Sequence, residues 1–126
     1  MINVMVVDDS ALVRNNLKRQ IEELGHKVIA LAKSGKEAIL LYEKLKPDLV
    51  TMDITMPMMS GVAALKKIKE INKDAKVVMI TSHGEEDLVM ESIKSGATGY
   101  VLKPITHAKL NKAIERNFPA WETEEV

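Results

Sequence analysis

Apolar residues fall into two alternating kinds of segment along the chain. Short, nearly continuous apolar runs rich in β-branched residues cover 2–7, 28–32, 49–52, 77–80 and 100–102. Such runs suit the strands of a parallel sheet, which are buried on both faces. Between them, apolar residues recur every three or four positions over 11–24, 36–45, 61–71, 86–94 and 107–117. That spacing lines one face of a helix. In the first helical segment Leu12, Val13, Leu17, Ile21 and Leu24 are expected on the buried face, with Ser10 as N-cap and Gly25 as the stop. In the third, Leu65 and Ile68 share a face. Lys46-Pro47-Asp48, Asn72-Lys73-Asp74, Ser95-Gly96 and Pro119 interrupt the periodic stretches. Five strand–helix units in succession predict an α/β domain over residues 1–118, a parallel sheet with helices on both faces. Residues 119–126 read as a short acidic tail expected to fray. Trp121 within it reads equally as a docking anchor or as decoration.

Composition narrows the functions. A chain of 126 residues, 46% hydrophobic and 29% charged, suits one globular core. Lys+Arg and Asp+Glu are both 18, so no basic excess suggests a nucleic-acid partner and no polybasic tract suggests a membrane surface. There are no cysteines, which excludes disulfides and thiolate metal sites. The N-terminus lacks the charged region of a signal peptide, and no segment has the length of a membrane span. A cytoplasmic protein without membrane insertion is expected.

The strands of a parallel sheet all end on one edge, and ligands of such folds bind there. The residues that follow the apolar runs are Asp8 and Asp9, Asp53, Thr81 and Lys103. Distant in sequence, they are expected to converge. Three crowded carboxylates repel one another, and a divalent cation relieves that repulsion. Oxygen ligands without Cys or clustered His favour Mg²⁺, or Mn²⁺ in its place. Lys103 offers a compact positive charge and Thr81 a hydroxyl for a phosphoryl oxygen. One carboxylate is then free to act as a nucleophile.

These residues sit in recognisable stretches: Val-Val-Asp-Asp-Ser (6–10), Val-Thr-Met-Asp-Ile-Thr-Met-Pro (50–57), Gly61, Ile-Thr-Ser (80–82) and Tyr-Val-Leu-Lys-Pro (100–104). Together they resemble two-component response-regulator receivers, over essentially the whole chain to about Asn117. The resemblance implies a flavodoxin-like (βα)5 fold with strand order 2-1-3-4-5. It implies Asp53 as phosphoacceptor, and Asp8, Asp9, Asp53 and the Thr55 backbone carbonyl as Mg²⁺ ligands. Lys103 would pair with the phosphoryl group, ahead of a cis bond to Pro104. Thr81 and Tyr100 would form the switch, Thr81 moving to the phosphoryl oxygen and Tyr100 turning inward. The implied partners are a sensor histidine kinase or phosphotransfer protein, and an output protein on the face of the fourth helix, fifth strand and fifth helix. A monomer is expected, with dimerisation through that face after phosphorylation left open. The stretch Asp-Asp-Ser-Ala-Leu-Val-Arg (8–14) resembles chemotaxis receivers, including those fused to methylesterases. No such effector is present, so a stand-alone signalling switch rather than an enzyme is expected. Thr55 and His83, each two residues past a key position, offer no amide or acid to orient an attacking water, which implies a phosphorylated lifetime longer than seconds.

Taken singly, each residue has a plainer reading: turn carboxylates, a turn threonine, a surface lysine, a packing tyrosine. His83 and His107 are expected in solvent and His26 in a turn. Met52, Met56, Met58 and Met59 read as core and loop filling, and Lys66, Lys67 and Lys69 as a solvated helix face. A haloacid-dehalogenase-type, Mg²⁺-dependent aspartyl phosphatase needs its second Asp two residues after the first, where this chain has Ser10. A flavodoxin-like FMN carrier needs a phosphate-cradling loop after the first strand, where this chain is acidic. A phosphate sink or relay intermediate remains a reading on the same fold.

Overall fold

A computed structural model describes residues 1–119, so the acidic tail beyond Pro119 and the reading of Trp121 lie outside the described residues. The chain forms β1 (Asn3–Val7), α1 (Ala11–Glu23), β2 (Lys27–Ala32), α2 (Gly35–Leu45), β3 (Leu49–Asp53), α3 (Gly61–Ile71), β4 (Val77–Thr81), α4 (Glu86–Lys94), β5 (Gly99–Leu102) and α5 (His107–Asn117). The sheet is parallel throughout, in the order β2-β1-β3-β4-β5. This is the flavodoxin-like arrangement, with the strand order reversing between β1 and β3 while all strands stay parallel.

Alternation along the strands sorts the core into two halves. Val4, Val6, Leu49, Val78, Ile80 and Val101 face α1 and α5, where Leu17, Ile21, Leu110 and Ile114 meet them. Met5, Val7, Val50, Met52, Val77 and Met79 face the other side, where Ala38, Tyr42, Ala64, Leu65 and Ile68 pack from α2 and α3 and Val89 from α4. Strands β1, β3 and β4 are thus sealed on both faces, which fixes where their ends sit.

Local chemistry sets the helix starts. Ser10, Ser34, Ser60 and Thr106 cap α1, α2, α3 and α5, each side chain accepting from a backbone N–H three residues on. Gly25, at φ 94, turns the chain out of α1. Helix α4 differs: Glu85 stands at its N-cap position and makes no side-chain cap bond.

Three expectations change. Leu12 is 81% exposed rather than part of the α1 core stripe. It lies five residues before Leu17, and at 3.6 residues per turn that rotates it well away from the face shared by Leu17 and Ile21. His26 follows the α1 turn but is buried, its Nδ1 accepting the N–H of Ile2 at 3.3 Å. Met58 is fully exposed at φ 72, while Met52 and Met56 are buried as expected. No helix among the described residues is long and apolar enough to cross a membrane.

Candidate functional site

The strand ends of β1, β3, β4 and β5 meet at one edge. The β3–β4 ladder runs as far as Asp53 opposite Ile80, so Asp53 and Thr81 are the last residues of their strands rather than the first of their loops. Asp8 follows β1, its N–H held by the carbonyl of Ala32 at 3.1 Å. Lys103 follows β5, its N–H bonded to the carbonyl of Thr81 at 2.8 Å. The peptide bond from Lys103 to Pro104 is cis. Ladder hydrogen bonds therefore set these four positions.

Carboxylate oxygens of Asp8, Asp9 and Asp53 lie within 4.8 Å of one another. Asp8 and Asp53 are buried and Asp9 is exposed. One oxygen of Asp8 accepts the N–H of Ser10 at 2.9 Å. The other, Oδ2, is buried and accepts no hydrogen bond from any described residue. A buried carboxylate oxygen left without a donor, beside two further carboxylates, suits a hard divalent cation. Arg14 bonds the Asp8 carbonyl at 2.8 Å and leaves the carboxylate clear.

The Lys103 Nζ stands 3.7 Å from Asp53 Oδ1, the one ion pair to this cluster among the described residues. Burial pushes the Asp53 carboxyl up to about 7, with the Asp8 charge adding to it and Lys103 opposing. Asp8 is also raised, chiefly by burial, against the pull of its Ser10 hydrogen bond. Two buried carboxylates that disfavour their own charge form a site that gains from a cation.

Close approach of α3 to β3 brings Gly61 onto the Asp53 backbone. Its N–H bonds the carbonyl of Ile54 at 2.7 Å, and a Cβ there would lie 2.0 Å from the Asp53 carbonyl oxygen.

Thr81 is buried, and its hydroxyl points to Glu85 Oε1 at 3.0 Å. Tyr100 is 57% exposed and lines a groove together with Thr81, His83, Met90 and Ile93. Thr55 is exposed, and its hydroxyl donates to Glu85 Oε2. Glu85 was not among the residues singled out by sequence. The signal for it is the spacing Ser82-His83-Gly84-Glu85, an S-x-x-E pattern in which the acid folds back on the chain. It does so here, accepting the Ser82 N–H at 2.6 Å. Thr55 and His83 themselves carry no acid, yet the structure supplies one to Thr55 from Glu85.

Known proteins resemble the chain along nearly all its length. The family model described as the response regulator receiver domain matches residues 4–115. The chain is 41% identical to the chemotaxis protein CheY of Thermotoga maritima over 113 residues, covering 90% of this chain and 94% of that one. It is 38% identical to CheY of Bacillus subtilis over the same shares of each. A response regulator receiver domain protein from Clostridium thermocellum superposes with a TM-score of 0.90 at 30% identity, covering 98% of both chains. A chain of the CheX–CheY–BeF3–Mg²⁺ complex from Borrelia burgdorferi superposes with a TM-score of 0.87 at 36% identity, covering 92% of this chain and 88% of that one.

Proposed function

The chain belongs to the response-regulator receiver family, and on that premise we propose that it is a signalling switch phosphorylated on Asp53. One observation carries the reading: Asp53 lies buried at a strand end, within a cluster of three carboxylates that leaves Asp8 Oδ2 without a donor, and beside the Lys103 ammonium.

An Asp53 oxygen attacks the phosphorus of a phosphohistidine on a sensor kinase or phosphotransfer protein. The new O–P bond forms as the P–N bond breaks, and the leaving imidazole takes a proton from solvent. Asp8, Asp9, Asp53 and the Thr55 carbonyl would hold Mg²⁺, or Mn²⁺, which supplies positive charge for the transferring phosphoryl oxygens. Lys103 supplies a second charge from the end of β5 on the same edge. The buried floor of β1 and β3 keeps the nucleophile in one orientation. Thr81 then turns its hydroxyl to the phosphoryl group, Tyr100 follows inward, and the face of α4, β5 and α5 changes for an output protein. The outward Tyr100 fits the resting form of that switch.

Chemotaxis is the pathway we favour, supported by the CheY relatives at 38–41% identity. The Borrelia CheY complexed with CheX supports a protein partner for the activated form. A cytoplasmic location, a single receiver domain over 1–118 and a monomeric resting state complete the proposal.

Incubation with acetyl phosphate and Mg²⁺ tests it. The wild type gains one phosphoryl mass by intact-protein mass spectrometry, and Asp53→Asn gains none. Equal labelling of both removes Asp53 from the role.

A further inference from the structure

The Glu85 carboxylate collects three donors: the Thr81 hydroxyl at 3.0 Å, the Ser82 N–H at 2.6 Å and the Thr55 hydroxyl. They come from β4, the β4–α4 loop and the β3–α3 loop, all on the rim of the Asp53 pocket. Hydroxyl and backbone N–H donors converging from several strand ends are what a phosphoryl oxygen would need. Here a carboxylate of the chain itself takes them. Its charge reaches both the nucleophile and the lysine: Glu85 contributes to the upward push on Asp53, and Lys103 draws on Glu85.

A loop-capping role explains one of the three contacts. The Ser82 N–H bond closes the turn within the loop, but the bonds to Thr81 and Thr55 reach out of it. The α4 start receives no side-chain cap bond from it, while four other helices have a capping Ser or Thr in that place. Glu85 thus directs its side chain to donors from the strand ends rather than to the N–H groups of its own helix.

We propose that Glu85 is a built-in anionic latch: it occupies the donors intended for the phosphoryl group, holds Thr81 in the resting position and ties α4 to it. This rests on the receiver reading and adds a positioning residue to it. Phosphorylation brings a second anion to the same donors. Like-charge repulsion expels Glu85, Thr81 turns to the phosphoryl oxygen, and the start of α4 is released. The link from Asp53 to α4 then runs through one side chain that changes partners.

Titration with beryllofluoride and Mg²⁺, followed calorimetrically, separates the possibilities. Wild type binds and Asp53→Asn does not. Glu85→Ala binds about tenfold more tightly than wild type, the factor set by one hydrogen bond the incoming anion no longer has to break. Glu85→Gln keeps an acceptor and loses the charge, and falls between them; it carries the test if the alanine variant does not fold. In a Thr81→Ala background the gain from Glu85→Ala shrinks, because one of the three donors that Glu85 withholds is gone. Unchanged or weaker binding by both Glu85 variants, with wild-type binding intact, overturns the latch and leaves the receiver reading standing. A gain of undiminished size without the Thr81 hydroxyl overturns it too. Folded wild type that fails to bind at all takes down the receiver reading and the latch with it.

Discussion

Gly61 has no Cβ because the carbonyl of Asp53 occupies its place: the gap is 2.0 Å. Both partners are backbone, so neither swings aside as a side chain would. Gly61→Ala must push the start of α3 away from β3, breaking the 2.7 Å bond to the Ile54 carbonyl and re-aiming Asp53. Overpacking of this kind costs about 1–3 kcal/mol. Thermal melting should show that loss, and labelling by acetyl phosphate should fall further than the melting shift alone explains. A variant that melts lower yet labels at the wild-type rate would detach Gly61 from the positioning of Asp53. At this scale sequence and structure share most of the site. Asp8, Asp53, Thr81 and Lys103 are legible because each ends an apolar run, and a parallel sheet forces such ends together. Glu85 is not legible that way, since it belongs to a loop and reaches the site by folding back. Its trace is a local S-x-x-E spacing, which says that an acid turns toward Ser82 but not that two threonine hydroxyls meet it there.

Elements are legible where both neighbours are set by period, and less so where a single residue departs from its stripe. The ten predicted segments agree with the ten observed to within a residue at each end. Leu12 departs because Val13 holds the core-facing position beside it, and consecutive residues on a helix point in different directions. His26 departs because the turn after α1 is drawn inward: its ring closes the bottom of the β1–β2 pair by accepting the Ile2 N–H. Burial, with the nearby N-terminal amine, holds its pKa below the usual 6.5. The unfolded chain therefore binds a proton first at this ring as pH falls, and the ring's contribution to stability drops once pH passes below 6.5, against the opposite trend set by the raised Asp53 and Asp8 carboxyls. Above that value both states are neutral at this ring and the contribution is flat. Protonation would also take away the lone pair that receives the Ile2 N–H. His26→Gln, which cannot gain that charge, should become more stable relative to wild type as pH falls below 6.5, the carboxylate contributions being common to both. Urea unfolding of both proteins at several pH values reads the difference, and parallel slopes would move the cause to another group.

For the whole molecule, the fold concentrates negative charge at one end of its sheet. Hydrophobic packing on both faces places β1 and β3 side by side, and their ends carry Asp8 and Asp53 wherever the core puts them. The three clustered carboxylates repel in the metal-free protein, and the core must hold them against that repulsion. Stability and ligand binding are therefore linked through charge. A cation that binds the folded state alone stabilises it by about 2.7 kcal/mol at a hundredfold excess over its dissociation constant. Melting should rise with Mg²⁺ by several degrees and return on adding EDTA. Asp8→Asn removes a proposed ligand and one repelling charge together, so it should melt higher than wild type in EDTA and respond little to Mg²⁺. Asp53→Asn should share the first effect. If instead both variants melt below wild type without metal, the carboxylates hold the edge together rather than strain it. The cost of assembling this edge is what makes it receptive: a site relaxed without a cation would have less to gain from one, and a nucleophile already neutralised by its neighbours would have less reason to react.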